Sequence, residues 1–327
     1  MSEFDIIREV FAPLTASAPG AFDLVDDAAL LQSQNFIVTK DLMVAGVHFL
    51  PKDPLDLVAR KLIRVNLSDL AAKGAKPIGY FLGCVWPQNV KRTDIELFAR
   101  GLGEDQEQFR ISLYGGDTTV HAAKGAPLTL SATFFGAPPK QGMTPRTGAS
   151  LGDDLYVSGT IGDAGLGLAA LKKEMKFTTV DRASLALRYH LPEPRLSLGA
   201  ALAGLATAAI DVSDGLIADA GHIARACGLR AEIDAVALPR SSGAASWVAS
   251  QENRWKALAA LAAFGDDYEI LFAAPAAMRR SVTVAAKASR TEVSRIGTLT
   301  RGEGVFFLDE SGAPIATPES GFDHFKK

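Results

Sequence analysis

The chain has little cysteine, little histidine and no excess of basic charge, and each scarcity removes a class of function. Only two cysteines, Cys84 and Cys227, occur in 327 residues. They lie far apart and match no metal or redox spacing, so they read as packing residues of a protein kept in a reducing cytoplasm. The five histidines and two cysteines supply no imidazole–thiolate metal pattern either. Lysine and arginine number 34 against 37 aspartates and glutamates, a net charge of −3 that leaves no footprint for nucleic acid or an anionic membrane. The longest uncharged run, Leu196 to Ile210, falls short of the roughly 20 residues a bilayer requires and reads as a buried helix. The opening MSEFDIIREVF carries acids where an export signal needs basic residues. A small-molecule partner is the reading that remains.

At this length two domains are expected. The stretch from Gly136 to Gly152, rich in proline, glycine and lysine, is the linker candidate, dividing the chain into 1–144 and 145–327. The segment from Asp53 to Pro77 organises the first part. Leu55, Val58, Leu62, Val65, Asp69 and Ala72 recur at the spacing of one helix face, with Asp53 as N-cap, Pro54 at the first helical position and Gly74 as the stop. Asp69 therefore falls on the stripe meant for burial. An ionised carboxylate there is costly alone, so it either pairs with a cation or binds a metal.

Around that helix the pattern alternates irregularly. A short helix at Ile6 to Leu14 precedes Val25-Asp26-Asp27. Phe36 to Thr39 reads as a strand ending at Lys40-Asp41, Ile78 to Val85 as a strand, Thr93 to Phe109 as a helix, and Ile111 to Tyr114 as a strand ending in a tight turn, Gly115-Gly116-Asp117-Thr118-Thr119. The second part shows a strand at Asp154 to Ser158, then Gly159, Gly162, Gly165 and Gly167, whose spacing suits tight turns and helix packing rather than a dinucleotide loop. A helix over 196–206, a strand at Ala208 to Val212, a helix starting at Ser213-Asp214-Gly215, and a closing helix, strand and hairpin follow. Such intermixing indicates an α+β protein rather than a doubly wound sheet.

Asp27, Asp41, Asp69, Asp117, Asp211 and Asp214 each stand beside an apolar element instead of in a solvated charge run. Oxygen-only ligands suit hard cations such as Mg2+, which is commonly held by carboxylates together with substrate phosphates. Several aspartates around one cleft thus imply more than one ion and a polyphosphate, ATP. No Walker or protein-kinase motif is present to cradle it. The amides of Gly115-Gly116 and the helix start at Ser213 are the candidates, with N-capping the alternative role of Ser213. Lys40, just before Asp41, is placed to replace part of a metal's charge or to reach a phosphate.

The segments VDDAAL (25–30), TKDLMVAGVHF (39–49), RVNLSDLAAKGAKP (64–77), GGDTT (115–119), TPRTGA (144–149), IDVSDGLIADAGHI (210–223), GDDYEI (265–270) and GFDHF (321–325) resemble the thiamine-monophosphate kinase family. That family shares its fold with aminoimidazole ribonucleotide synthetase and selenophosphate synthetase. The resemblance implies a first domain that dimerises through its sheet, a C-terminal α/β sandwich domain and an active site between them. It implies ATP-dependent phosphorylation of thiamine monophosphate to thiamine diphosphate. By position, Asp27, Thr39, Asp41, Asp69, Asp117, Asp211 and Asp214 would hold Mg2+. Gly116, Asp117, Arg146 and Ser213 would contact ATP, and His48, Asp266 and Phe322 the thiamine substrate. The acceptor phosphate, with a second pKa of about 6, is already largely a dianion at neutral pH, so the expected chemistry is direct in-line transfer without a protein base. The competing readings are another ATP-using enzyme of the same superfamily and a non-catalytic nucleotide- or metal-binding regulator.

Overall fold

Two sheets, each with its own helices, organise the chain. The computed structural model describes Phe22, residues 25–31 and residues 35–318. The helix expected at Ile6 to Leu14 and the terminal GFDHF stretch with Phe322 lie outside these residues.

The first sheet contains β1 (Ala29–Leu31), β2 (Phe36–Val44), β3 (Lys76–Trp86), β4 (Ser112–Val120) and β5 (Thr129–Ala137) in the spatial order β1-β2-β5-β3-β4. Along β2, Ile37, Thr39 and Met43 are buried while Lys40 and Leu42 are exposed, the alternation expected when one face meets a helix. That helix is α1 (Leu55–Ala72), which packs on β2 and β5. Tyr80 and Phe134, both fully buried, stack with ring centroids 4.7 Å apart beneath it. Strands β3 and β4 are parallel, so they need a crossover, supplied by α2 (Arg92–Phe109).

Two sequence expectations are corrected here. Asp41 is not at a strand end, because β2 runs on to Val44 and Asp41 pairs with Ala132. The GGDTT segment is not a turn, because it lies inside β4, where Gly116 pairs with Leu82. Acidic and glycine residues signal turns locally, but cross-strand pairing overrides that preference. A Cβ on Gly116 would meet the Leu82 carbonyl oxygen at 1.8 Å, so the glycine there permits close strand approach.

The second sheet has six strands: β6 (Asp154–Ser158), β7 (Ala208–Asp211), β8 (Arg230–Asp234), β9 (Ile270–Ala274), β10 (Val293–Thr300) and β11 (Val305–Leu308), in the order β11-β8-β10-β6-β9-β7. Its helices are α3 (Asp163–Leu171), α4 (Thr179–His190), α5 (Leu196–Leu202), α6 (Leu216–Cys227), α7 (Ser242–Ala249), α8 (Arg254–Ala263) and α9 (Arg279–Ser289). Strand β11 lies parallel to β8 and opens the closing hairpin: Leu308 bridges Pro314 in antiparallel fashion, and the amides of Asp309 and Ile315 donate to the Ala313 and Phe307 carbonyls. The helix expected over 196–206 is α5, which stops at Leu202, and Gly204, at φ +79°, turns the chain toward β7.

The two halves meet at the C-terminal end of α1. Ala71 is buried in one cluster with Leu198, Leu202 and Phe272. A Cβ on Gly199 would lie 1.8 Å from the Ala71 carbonyl oxygen, so α5 approaches α1 at backbone distance. This contact brings the last turn of α1 beside β7. The whole is an α+β, two-sheet architecture.

Candidate functional site

Helix α1 begins differently from its sequence signal. Pro54, not Asp53, occupies the N-cap position, and the Asp53 carboxylate accepts the Leu50 amide at 2.8 Å. At the other end Gly74, at φ +71°, releases the chain. Asp69 sits in the last turn, where the helix dipole is negative and an anion is disfavoured. Its carboxylate must find positive charge or hydrogen-bond donors elsewhere.

Part of the answer is Thr39 on the buried face of β2, whose hydroxyl lies 2.5 Å from Asp69 Oδ2 and 3.2 Å from the Asp27 carbonyl oxygen. Asp27 itself enters from the turn before β1, and Asp211 from the end of β7 in the other sheet. One carboxylate oxygen from each of Asp27, Asp69 and Asp211 lies within 4.8 Å of the others. Three acids from three separate segments thus point at one another. Burial, then the neighbouring Asp211 and Asp41, hold the Asp69 carboxyl well above the usual carboxylate range, opposed by the Thr39 hydrogen bond and the Lys73 charge. Burial likewise pushes Asp41 and Asp211 up to about 6. Asp41 Oδ2 is buried with no hydrogen-bond partner among the described residues. An orphaned acid oxygen beside three crowded carboxylates, with no imidazole or thiolate in that group, is a donor set suited to a hard divalent cation.

Cations of the protein flank the group. Arg146 contacts the Asp27 carboxylate through Nη2, donates Nη1 to the Val25 carbonyl at 2.8 Å and its backbone amide to Asp26 at 3.1 Å. Lys73 Nζ is 3.0 Å from Asp26 and 2.8 Å from Asp27. Lys40 does not take the place expected of it: its ammonium turns to the opposite face of the sheet and donates to Ser131.

Beside the carboxylates opens a cavity of about 430 Å³, lined among others by Asp41, His48, Ser213, Asp214 and Asp266. The His48 Nδ1 accepts the Val44 amide at 3.0 Å, which fixes the ring. Asp266 reaches the cavity because residues 266 and 268 extend the pairing of β7 with β9: their amides donate to the Ser213 and Val212 carbonyls, each at 2.8 Å. Asp266 and Tyr268 adopt φ values of +69° and +51°, a conformation costing about 1 kcal/mol per non-glycine residue and typical of functional segments. Ser213 is not a helix cap, since α6 starts at Leu216 with Gly215 at the N-cap.

Asp117 and Gly116 stand apart. Asp117 pairs with Gly83, Gly83 with Ser131 and Ser131 with Leu42, so Asp117 shares the exposed face of Leu42. It is three strand spacings, roughly 14 Å, from β2 and on the face opposite Asp41. Within one chain these two residues do not join the Asp27–Asp69–Asp211 group.

Other polar residues of the site carried no signal in isolation. Lys61 pairs with Asp266 at 2.8 Å and lies 4.0 Å over the Tyr189 ring. Asp219 and His222 cluster with Asp214, their ligand atoms within 4.8 Å. The i, i+3 spacing of Asp219 and His222 in α6 was the available clue, and Lys73, four residues after Asp69, was the clue to a cation on that side of α1.

Comparison with known proteins identifies relatives along nearly the whole chain. Residues 25–137 match the model of the AIR synthase related protein N-terminal domain, and residues 151–309 that of its C-terminal domain. The thiamine-monophosphate kinase of Caulobacter vibrioides is 49% identical over 93% of this chain and 86% of its own length. That of Escherichia coli O157:H7 is 37% identical over 99% and 98%. The solved structure of AaThiL complexed with AMPPCP and TMP superposes with a TM-score of 0.83 at 27% identity, covering 99% of this chain and 97% of that one. With both domain models matched in order and relatives of this similarity aligned along nearly the whole chain, the protein belongs to the thiamine-monophosphate kinase family of AIR synthase related proteins.

Proposed function

We propose that this chain transfers the γ-phosphoryl group of ATP to thiamine monophosphate, giving thiamine diphosphate and ADP by direct in-line displacement. The observation that carries the proposal is the convergence of Asp27 from the turn before β1, Asp69 from α1 and Asp211 from β7 on one point, close to the cavity-lining Asp41. Its family supports it: relatives bear the name thiamine-monophosphate kinase, and a relative was solved with AMPPCP and TMP.

In this reading Asp27, Thr39, Asp41, Asp69, Asp211 and Asp214 hold Mg2+, whose charge, when bound, offsets the repulsion between two phosphate-bearing reactants. Thr39 orients Asp69, and Arg146 fixes the Asp26-Asp27 turn beside the nucleotide. Arg146 and Ser213 contact ATP, while His48 and Asp266 receive the thiamine end of the acceptor. The thiazolium is cationic, which suits the Asp266 carboxylate. No side chain is assigned as a base, because the acceptor phosphate is already a nucleophile at neutral pH. Gly116 and Asp117 serve the nucleotide, and Asp117 a Mg2+ ion, in a homodimer joined through the first sheet. Leu42 and Phe81, both exposed on the face of that sheet turned away from α1, support such a face. The domain boundary falls near residue 145, and a cytoplasmic location suits two free cysteines. No helix among the described residues is long and apolar enough to cross a membrane.

A coupled ADP-release assay with thiamine monophosphate, thiamine and aminoimidazole acceptors in parallel tests the proposal. ADP formed with thiamine monophosphate alone is the expected result. Release with a different acceptor transfers the chain to another reaction, and no release with any acceptor supports a regulator.

A further inference from the structure

Lys73 is fully buried, with nothing of its side chain exposed, yet it is the first residue past helix α1 and carries a charge. An ammonium has three donors and no acceptor. Here one is donated to the Ala209 carbonyl at 2.8 Å, while the charge is shared by two carboxylates: Nζ lies 3.0 Å from Asp26 Oδ1 and 2.8 Å from Asp27 Oδ2, an oxygen that is buried and accepts no hydrogen bond among the described residues. These oxygens come from two distant segments, the turn before β1 and strand β7 of the other sheet. The side chain leaves the end of α1 four residues after Asp69, so its charge lies beside the Asp27, Asp69 and Asp211 carboxylates and lowers the cost of having Asp69 and Asp211 ionised. Both side chains it binds are themselves largely buried, Asp26 at 3% and Asp27 at 10% exposure.

We infer that Lys73 is a built-in counter-ion of this site, occupying the place between Asp26 and Asp27 that a divalent cation takes when the ammonium is absent. A buried carboxylate pair needs compensating charge, and a covalently tethered cation supplies it at all metal concentrations. The ammonium reduces by one the number of divalent ions the site accepts, and keeps the Asp27 ligand in position when no metal is bound. The Ala209 bond ties that function to the joint between the two sheets. This inference rests on the metal reading of the carboxylate group proposed above.

Mn2+ alone is the probe, added without nucleotide to the full chain and counted by the electron paramagnetic resonance signal of the free ion, with thermal melting followed in parallel. The variant Lys73→Met, of similar length and uncharged, is expected to bind one more Mn2+ per chain than the unmodified protein. It should melt lower in EDTA and regain most of that loss in Mn2+, whereas the unmodified protein responds less. The double variant Lys73→Met with Asp26→Asn, which removes one acid with the cation, should return to the unmodified Mn2+ count. An unchanged count and an unchanged Mn2+ response in Lys73→Met overturn the counter-ion role while leaving the metal reading intact. An unmodified protein that binds no Mn2+ overturns both. If Lys73→Met fails to fold under every condition, recovery of folding by the double variant supports the role, and failure of both overturns it.

Discussion

Lys61 and Asp266 are separated by 205 positions, yet the ammonium and carboxylate stand 2.8 Å apart across the cavity. One partner belongs to α1 of the first half and the other to the strained segment after α8, so the pair ties both halves to the wall where the acceptor is proposed to bind. The Lys61 side chain is nearly buried at 3% exposure, and its ammonium also donates to the His48 carbonyl at 3.2 Å. His48 and Asp266 are therefore held by one cation.

Asp266→Asn keeps the shape of the side chain but removes its charge. The expected result is a KM for thiamine monophosphate raised about tenfold, the scale of one lost charged hydrogen bond, with kcat little changed. Steady-state kinetics at saturating ATP reads this out, and an unchanged KM removes Asp266 from the acceptor site.

Asp69→Asn retains a hydrogen-bonding partner for Thr39 and removes one of three mutually repelling charges. Turnover should fall by at least about a hundredfold, as expected when a group stabilising transferred charge is lost. The melting temperature in EDTA should be unchanged or higher, because the native carboxyl is held in an unfavourable setting by burial and by Asp211 and Asp41. Near-normal activity at ordinary Mg2+ contradicts the metal role.

Stability of the metal-free protein should depend on pH in a defined direction. Asp41 and Asp211 are raised from 3.8 to about 6 in the fold, so the folded chain binds more protons than the unfolded chain between those values. Their contribution is complete below about 4 and is lost as pH rises through about 6. Urea denaturation in EDTA across this range should show that decline, and Asp41→Asn should flatten it. Saturating Mg2+ should offset the loss above pH 6, since it binds the ionised carboxylates.

Gly199→Ala tests the joint between the halves. The added methyl would meet the Ala71 carbonyl oxygen at 1.8 Å, and backbone on both sides leaves no flexible group to yield. A loss of about 1–3 kcal/mol, the range for overpacking, is expected from urea midpoints. Activity should fall as well, because the displaced end of α1 carries Asp69. A variant with normal stability and activity shows that the two helices can separate without consequence.

Local patterns carried much of this protein. The apolar stripe of α1, the alternation of β2 and the aspartates standing beside apolar elements were legible because helix and strand periodicities report burial over a few residues. Those patterns, with the quoted motifs, determined the α+β class and the family, and named Asp41, His48, Ser213, Asp214 and Asp266 among the residues that line the cavity. Only the tertiary structure decided which charge meets which. Asp69 read as a metal-binding acid with ion-pairing as the alternative, and its surroundings depend on Thr39 from β2 and Asp211 from β7. Lys40 adjoined Asp41 in sequence but strand alternation sends it to the opposite face, while Lys73 reaches the acids and a carbonyl 136 positions away. The same alternation separates Asp117 from Asp41. Charges act through space at a few ångströms, and which distant segments come that close is set by how α1 packs between two sheets, a relation that no short window of sequence contains.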